Sequence, residues 1–154
     1  MLRAQYERHG PVPQDVIHAV ELDTPRPAAG QALLEVIAAP INPSDVLTLT
    51  GEYGDLPPLP AIGGREGVGR VADLGRDTNG PEVGQLVLLP SGCGSWSSHV
   101  IAEAAQLVEL PNEADPQQLA MMRSVWASMR SAAPRPDASP TACAEIRSSS
   151  TTAA

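Results

Sequence analysis

Along the first 122 positions, apolar residues come in short runs separated by Gly and Pro. Gln31 to Ala39 carries the longest, Ala32-Leu33-Leu34-Glu35-Val36-Ile37-Ala38, which predicts a largely buried strand. Asp15 to Leu22 is strand-like and is ended by Pro25 and Pro27. From Gly67 to Leu74 the chain alternates, with Val68, Arg70, Ala72 and Leu74 on one side and Gly69, Val71 and Asp73 on the other. Gly84 to Leu89, Ser97 to Ala102 and Gln106 to Leu110 are further strand candidates. Short strands at this spacing, punctuated by turn residues, predict a barrel or sandwich.

Two stretches break the pattern. Asn42 to Gly64 is rich in Pro and Gly, and Pro57, Pro58 and Pro60 withhold N–H donors from any ladder, so it predicts a long loop outside the sheet. A stiff loop of that length on a barrel is a place for binding chemistry. Asp115-Pro116 opens a helix, with Asp as N-cap and Pro preorganised at the first position, continuing through Met122. Beyond it the composition changes: residues 123–154 hold seven of the twelve Ser, carry four Arg against Asp137 and Glu145, and are interrupted by Pro134, Pro136 and Pro140. Without a sustained apolar period this tail predicts disorder. The expected division is therefore a domain over 1–122 and a tail over 123–154.

Composition narrows the options. Of 154 residues 42% are hydrophobic, enough for a core, but Phe is absent and Trp and Tyr number two each, so that core is aliphatic. The net charge of −8 argues against a nucleic-acid partner, whose phosphates demand a cationic surface. Cys93 and Cys143 lie far apart with no C-x-x-C pair, which argues against a metal site or a disulfide framework. The start, Met1 to Gly10, lacks the apolar run of a signal peptide, and no stretch reaches the roughly 18 apolar residues of a membrane span. A reduced, soluble cytoplasmic protein without a membrane partner is the expectation.

Three motifs in order carry a family resemblance: Ile41-Asn42-Pro43-Ser44-Asp45, then Gly51-Glu52-Tyr53-Gly54, then Pro60-Ala61-Ile62-Gly63-Gly64-Arg65-Glu66-Gly67-Val68-Gly69. Val83-Gly84-Gln85-Leu86-Val87, Gly94-Ser95-Trp96 and Leu107-Val108-Glu109-Leu110-Pro111 add to it. Together they resemble the catalytic half of the medium-chain dehydrogenase/reductases, from Met1 to about Met122. The resemblance implies a mainly β fold, a GroES-like partly open β-barrel with short helices. In the zinc alcohol dehydrogenases a Cys takes the place of Asn42 and a His the place of Arg65. An amide supplies no thiolate and a guanidinium ligates no metal, so the resemblance is to the zinc-free branch. Tyr53 in its Gly-Glu-Tyr-Gly setting is most similar to the 2-enoyl thioester reductases of fatty-acid metabolism, and quinone reductases share the Asn-Pro-x-Asp motif.

What the resemblance implies about chemistry can be checked residue by residue. After hydride addition to Cβ of a 2-enoyl thioester, an acid must protonate Cα. A phenol with pKa near 10 stays protonated at neutral pH and suits that step, which makes Tyr53 the candidate catalytic acid; a solvent-exposed loop tyrosine is the bland alternative. Asn42 offers two donors and an acceptor without titrating, and by resemblance it holds the nicotinamide or a substrate oxygen; Asn before Pro is also an ordinary turn starter. Ser44 matches a proton-relay hydroxyl or caps a helical turn at Asp45-Val46-Leu47. Glu66 matches a carboxylate behind the metal of the zinc enzymes, and here a pairing with Arg65 or another Arg is expected. Cys93 reads as a small apolar filler, and His18 and His99 as packing residues.

The resemblance implies NADP(H) as cofactor and a homodimer for full-length family members, yet no G-x-G-x-x-G fingerprint occurs in the chain. After Met122 the resemblance stops where a Rossmann domain would begin, which fits a truncation with an out-of-frame tail. Three readings stay open: the catalytic domain of an NADPH-dependent 2-enoyl thioester reductase that is inactive alone, the same part of a quinone reductase, and a nonenzymatic truncated barrel.

Overall fold

The computed structural model describes residues 1–122, which form two antiparallel sheets. In the smaller, β1 (Leu2–Tyr6) lies between β2 (Ile17–Glu21) and the two-residue β4 (Ala61–Ile62). In the larger, the order is β7 (His99–Glu103), β3 (Gln31–Ala38), β5 (Val68–Leu74), β6 (Leu86–Leu88) and β8 (Val108–Glu109). The sheets are stitched where β1 runs beside residues 96–98: Ala4 N–H donates to Trp96 O at 2.8 Å and Ser98 N–H to Leu2 O at 2.8 Å. Neither sheet closes on itself. The expected mainly β, partly open GroES-like barrel with short helices is what the chain forms.

The long apolar run is an interior strand, as its composition requires. β3 pairs on one side with β7 and on the other with β5. Its register against β5 shifts between Leu33 and Leu34 and between Val36 and Ala38. Such bulges bend a strand and increase its twist, which curls an open sheet toward a barrel. β5 is buried on both faces: Val71 joins Ala32, Leu34, Val87, Leu89, Ala102 and Ala104, whereas Val68 joins Leu86, Leu110 and Ala120. Cys93 packs half-buried against the first of these clusters, the filler role expected of it.

Three elements depart from expectation. β1 is a strand although Leu2-Arg3-Ala4-Gln5-Tyr6 carries little apolar signal; only Tyr6 is buried, and the strand exists because partners flank it on both sides. The stretch from Asn42 to Gly64 is not all loop: Pro43–Thr50 is a helix, α1, and Ala61–Ile62 is β4. The predicted helix start after Asp115 holds, as α2 (Pro116–Leu119), with Asp115 Oδ1 accepting from Gln117 N–H at 2.9 Å. Of the histidines, His18 is exposed on β2 instead of packed. The expectation of a disordered tail over 123–154 lies outside the described residues.

Candidate functional site

α1 organises the site. Pro43 supplies the preset φ of a first helical position, and Asp45 turns its Oδ2 back to accept the Asn42 N–H at 2.8 Å, half of a capping box. Ser44 therefore sits inside the helix, and Asp45 does the capping that the sequence offered to Ser44. The far end stops at Gly51, whose φ of 84° is the left-handed conformation a helix C-terminus favours. The two residues that follow both donate N–H to Leu47 O, Glu52 at 2.9 Å and Tyr53 at 3.1 Å. Asn42 and Tyr53 are thus the two ends of one rigid element, about 12 Å of helix apart at 1.5 Å per residue.

A second segment bridges those ends. Asn42 Nδ2 donates to Glu66 Oε1 at 2.7 Å, and the Arg65 guanidinium lies over the Tyr53 ring, its Cζ 5.5 Å from the ring centroid. Adjacent residues thus reach both ends of α1. Glu66, expected to pair with an arginine, accepts the Asn42 amide at this corner. The segment is pinned from behind by backbone: Gly92 N–H donates to Arg65 O at 2.8 Å, Ser95 N–H to Gly64 O at 3.1 Å, and Ser95 Oγ to Glu66 O at 2.6 Å. Gly64 adopts φ 86°, and a Cβ on Gly63 or Gly64 would collide with Trp96. Trp96 is in turn fixed by Nε1 donating to Pro40 O at 3.0 Å.

Beneath α1 lies a cavity of about 60 Å³ whose wall includes Tyr6, Asp45, Thr48, Arg65 and Trp96. Asp45 is 3% exposed, and its Oδ1 is buried without a hydrogen-bond partner among the described residues. Burial raises its carboxyl above the usual range, opposed by the Asn42 N–H and the Arg65 charge, and Glu66 nearby pushes the same way as burial. Burial likewise raises the Tyr6 phenol, with Arg65 opposing and Asp45 reinforcing. The buried polar or charged residues among those described are Asp45, Thr48, Glu66 and Ser95, and all four belong to this corner.

The structure therefore brings Asn42 and Tyr53 into one network, half-buried both, through Arg65 and Glu66. Sequence reasoning passed over Asp45, Tyr6 and Trp96. A carboxylate three residues after an Asn-Pro start was a visible signal for Asp45 as a cap. Nothing in the sequence announced that Tyr6, 37 residues before Pro43, would sit beneath α1. His9 approaches the other end of α1, its Nδ1 2.9 Å from Thr48 O.

Residues 28–112 match the family described as "Alcohol dehydrogenase GroES-like domain". A mitochondrial enoyl-[acyl-carrier-protein] reductase of Xenopus tropicalis is 37% identical over 109 residues, covering 70% of this chain and 31% of that relative. Among solved structures, the Escherichia coli quinone oxidoreductase complexed with NADPH superposes with a TM-score of 0.71 at 28% identity, covering 86% of this chain and 41% of the other. Etr1p in complex with NADP and crotonyl-CoA gives 0.61 at 25% identity, covering 71% and 33%. The chain spans about a third of the length of the curated relatives it matches. These relatives, from human to Arabidopsis thaliana, are mitochondrial proteins, which overturns the cytoplasmic location expected from the N-terminal sequence. The matched domain and the order of its motifs place the chain in the alcohol dehydrogenase GroES-like domain family of the medium-chain dehydrogenase/reductases.

Proposed function

We propose that residues 1–122 are the catalytic domain of an NADPH-dependent, zinc-independent reductase acting on the C=C bond of 2-enoyl thioesters in fatty-acid metabolism. The observation that carries this reading is the continuous path Tyr53–Arg65–Glu66–Asn42, which ties a phenolic acid to an anchored carboxamide. Relatives that are enoyl reductases, and a structural neighbour holding NADP and crotonyl-CoA, support it.

The residues present suit the nicotinamide end of the cofactor. Asn42 is half-buried and held through Nδ2, a fixed, non-titrating polar group of the kind that orients a carboxamide ring. A reduced nicotinamide, when bound, supplies the hydride for the substrate Cβ. Tyr53 then gives its phenolic proton to Cα, breaking O–H and forming C–H as the enolate collapses back to the thioester carbonyl. Holding Tyr53 at the capped end of α1 fixes its distance from Asn42, and orientation of this kind accounts for about 7–11 kcal/mol of the barrier in favourable cases. The donors at the corner do not suit zinc: Asn42 is an amide and Arg65 a permanent cation.

The quinone reductase reading keeps one argument, the higher TM-score of the quinone oxidoreductase, 0.71 against 0.61. The test joins the chain in frame to a cofactor domain taken from an enoyl reductase relative and follows NADPH absorbance with crotonyl thioester and, separately, a small quinone. Reduction of the thioester with no stoichiometric zinc by elemental analysis is expected, and Tyr53→Phe should lower kcat by about 10²–10⁴. The 154-residue chain alone should be silent. Preference for the quinone with no effect of Tyr53→Phe would give the assignment to the quinone reductases, and inertness toward both would favour the nonenzymatic barrel.

A further inference from the structure

The resemblance uses Arg65 only as the residue that excludes a metal, yet the structure gives it a definite place. Its guanidinium stands over the face of Tyr53, 5.5 Å from the ring centroid. Both partners are pinned through their backbones. Tyr53 N–H is bonded to Leu47 O at 3.1 Å, and Arg65 O accepts from Gly92 N–H at 2.8 Å. The stack therefore joins two fixed segments. A carboxylate was available nearby: Asp45 lines the same cavity as Arg65 and keeps a buried Oδ1 without a partner among the described residues. The guanidinium lies on the ring all the same.

That placement has a chemical consequence. The face of a neutral phenol attracts a cation only through its quadrupole. Once the phenol has given up its proton, the ring carries a full delocalised negative charge, and the same cation at the same distance is held far more strongly. An interaction that strengthens as the proton leaves favours the transition state over the ground state. We propose that Arg65 is the positioning residue for Tyr53: it orders the ring through the stack and supplies the fixed positive charge that the developing phenolate faces. This rests on the reading of Tyr53 as the acid. Lysine keeps the charge but loses the planar stack, so it separates the two contributions.

Two measurements test it. In the 154-residue chain, NMR of the arginine side chains should show the Arg65 resonances displaced upfield by the ring current of Tyr53, and Tyr53→Leu should abolish the displacement. With two tyrosines and ten arginines in the chain, the assignment is tractable. In the two-domain enzyme, Arg65→Gln should lower kcat about tenfold with little change in KM, Arg65→Lys should recover part of that loss, and Arg65→Gln added to Tyr53→Phe should cost nothing more. An absent ring-current shift removes the stack and overturns the proposal. A loss that is undiminished in the Tyr53→Phe background, or confined to KM, overturns it as well. If Tyr53→Phe itself leaves turnover intact, the enoyl reductase reading falls, whatever the NMR shows of the stack.

Discussion

Two regions of this domain bury side chains equally well and by different means. In the five-stranded sheet, Ala32, Leu34, Val71, Val87 and Leu89 are sealed from solvent in an apolar cluster. At the α1 corner the sealed residues are Asp45, Thr48, Glu66 and Ser95. The sheet is held by apolar area and volume, which are non-directional, so any aliphatic set of similar size would serve. The corner is held by directional bonds at 2.6–2.8 Å from Ser95 to Glu66, from Asn42 to Glu66 and to Asp45, and from Thr48 Oγ1 to Ser44 O. A net hydrogen bond adds little stability, whereas an unmade one is costly, so such a corner persists for what its groups do in place.

The contrast can be tested by substitution. Leu34→Ala, at a fully buried site of β3, should cost about 2–5 kcal/mol in urea unfolding. A loss below that range would mean the sheet is less the keystone than its burial suggests. Gly64→Ala, by contrast, adds only a methyl at the corner. It forces a φ of 86° on a residue with a Cβ, which costs about 1–3 kcal/mol before Ser95 and Trp96 have to shift. Thermal unfolding should show it, and near-neutrality would remove the argument that backbone clearance shapes the corner. Trp96→Phe keeps much of the ring and loses the bond to Pro40 O, a change of about 0.5–1.5 kcal/mol.

The last effect is the smallest at any single pH but belongs to the corner alone. The Asp45 carboxyl is raised on folding, chiefly by burial, from an ordinary value of 3.8. A raised acid contributes stability that is complete below its unfolded pKa and lost as pH rises through its folded one. Wild type should therefore lose stability relative to Asp45→Asn as the pH is raised from acid toward neutrality, read as the difference of their urea midpoints. A flat difference, or one that grows in favour of wild type, contradicts the burial argument. No such pH term is expected between wild type and Leu34→Ala.

Most of the sheet could be read in the sequence because its signals are local. The apolar run of β3 records burial directly in residue type, and the Asp115-Pro116 cap records a helix start in two residues. The order of the motifs likewise put Asn42, Tyr53 and Arg65 forward as candidates, while Asp45, Tyr6 and Trp96 went unread. What could not be read is what those residues do to one another. Leu2–Tyr6 is a strand because β2 and β4 flank it, and nothing in its own composition demands that. Pro43–Thr50 is a helix because Asp45 closes its first turn while Thr48 and Leu49 are buried beneath it, against the loop signal of its Pro- and Gly-rich surroundings. The aliphatic sheet and the chemical groups on offer are written in the residues themselves, since hydrophobic pattern and functional-group identity are local properties. That Glu66 holds Asn42, that Arg65 covers Tyr53 and that Asp45 is buried with an oxygen unpartnered among the described residues came from the folded arrangement, because hydrogen bonding, stacking and burial depend on distances between segments that the chain order does not contain.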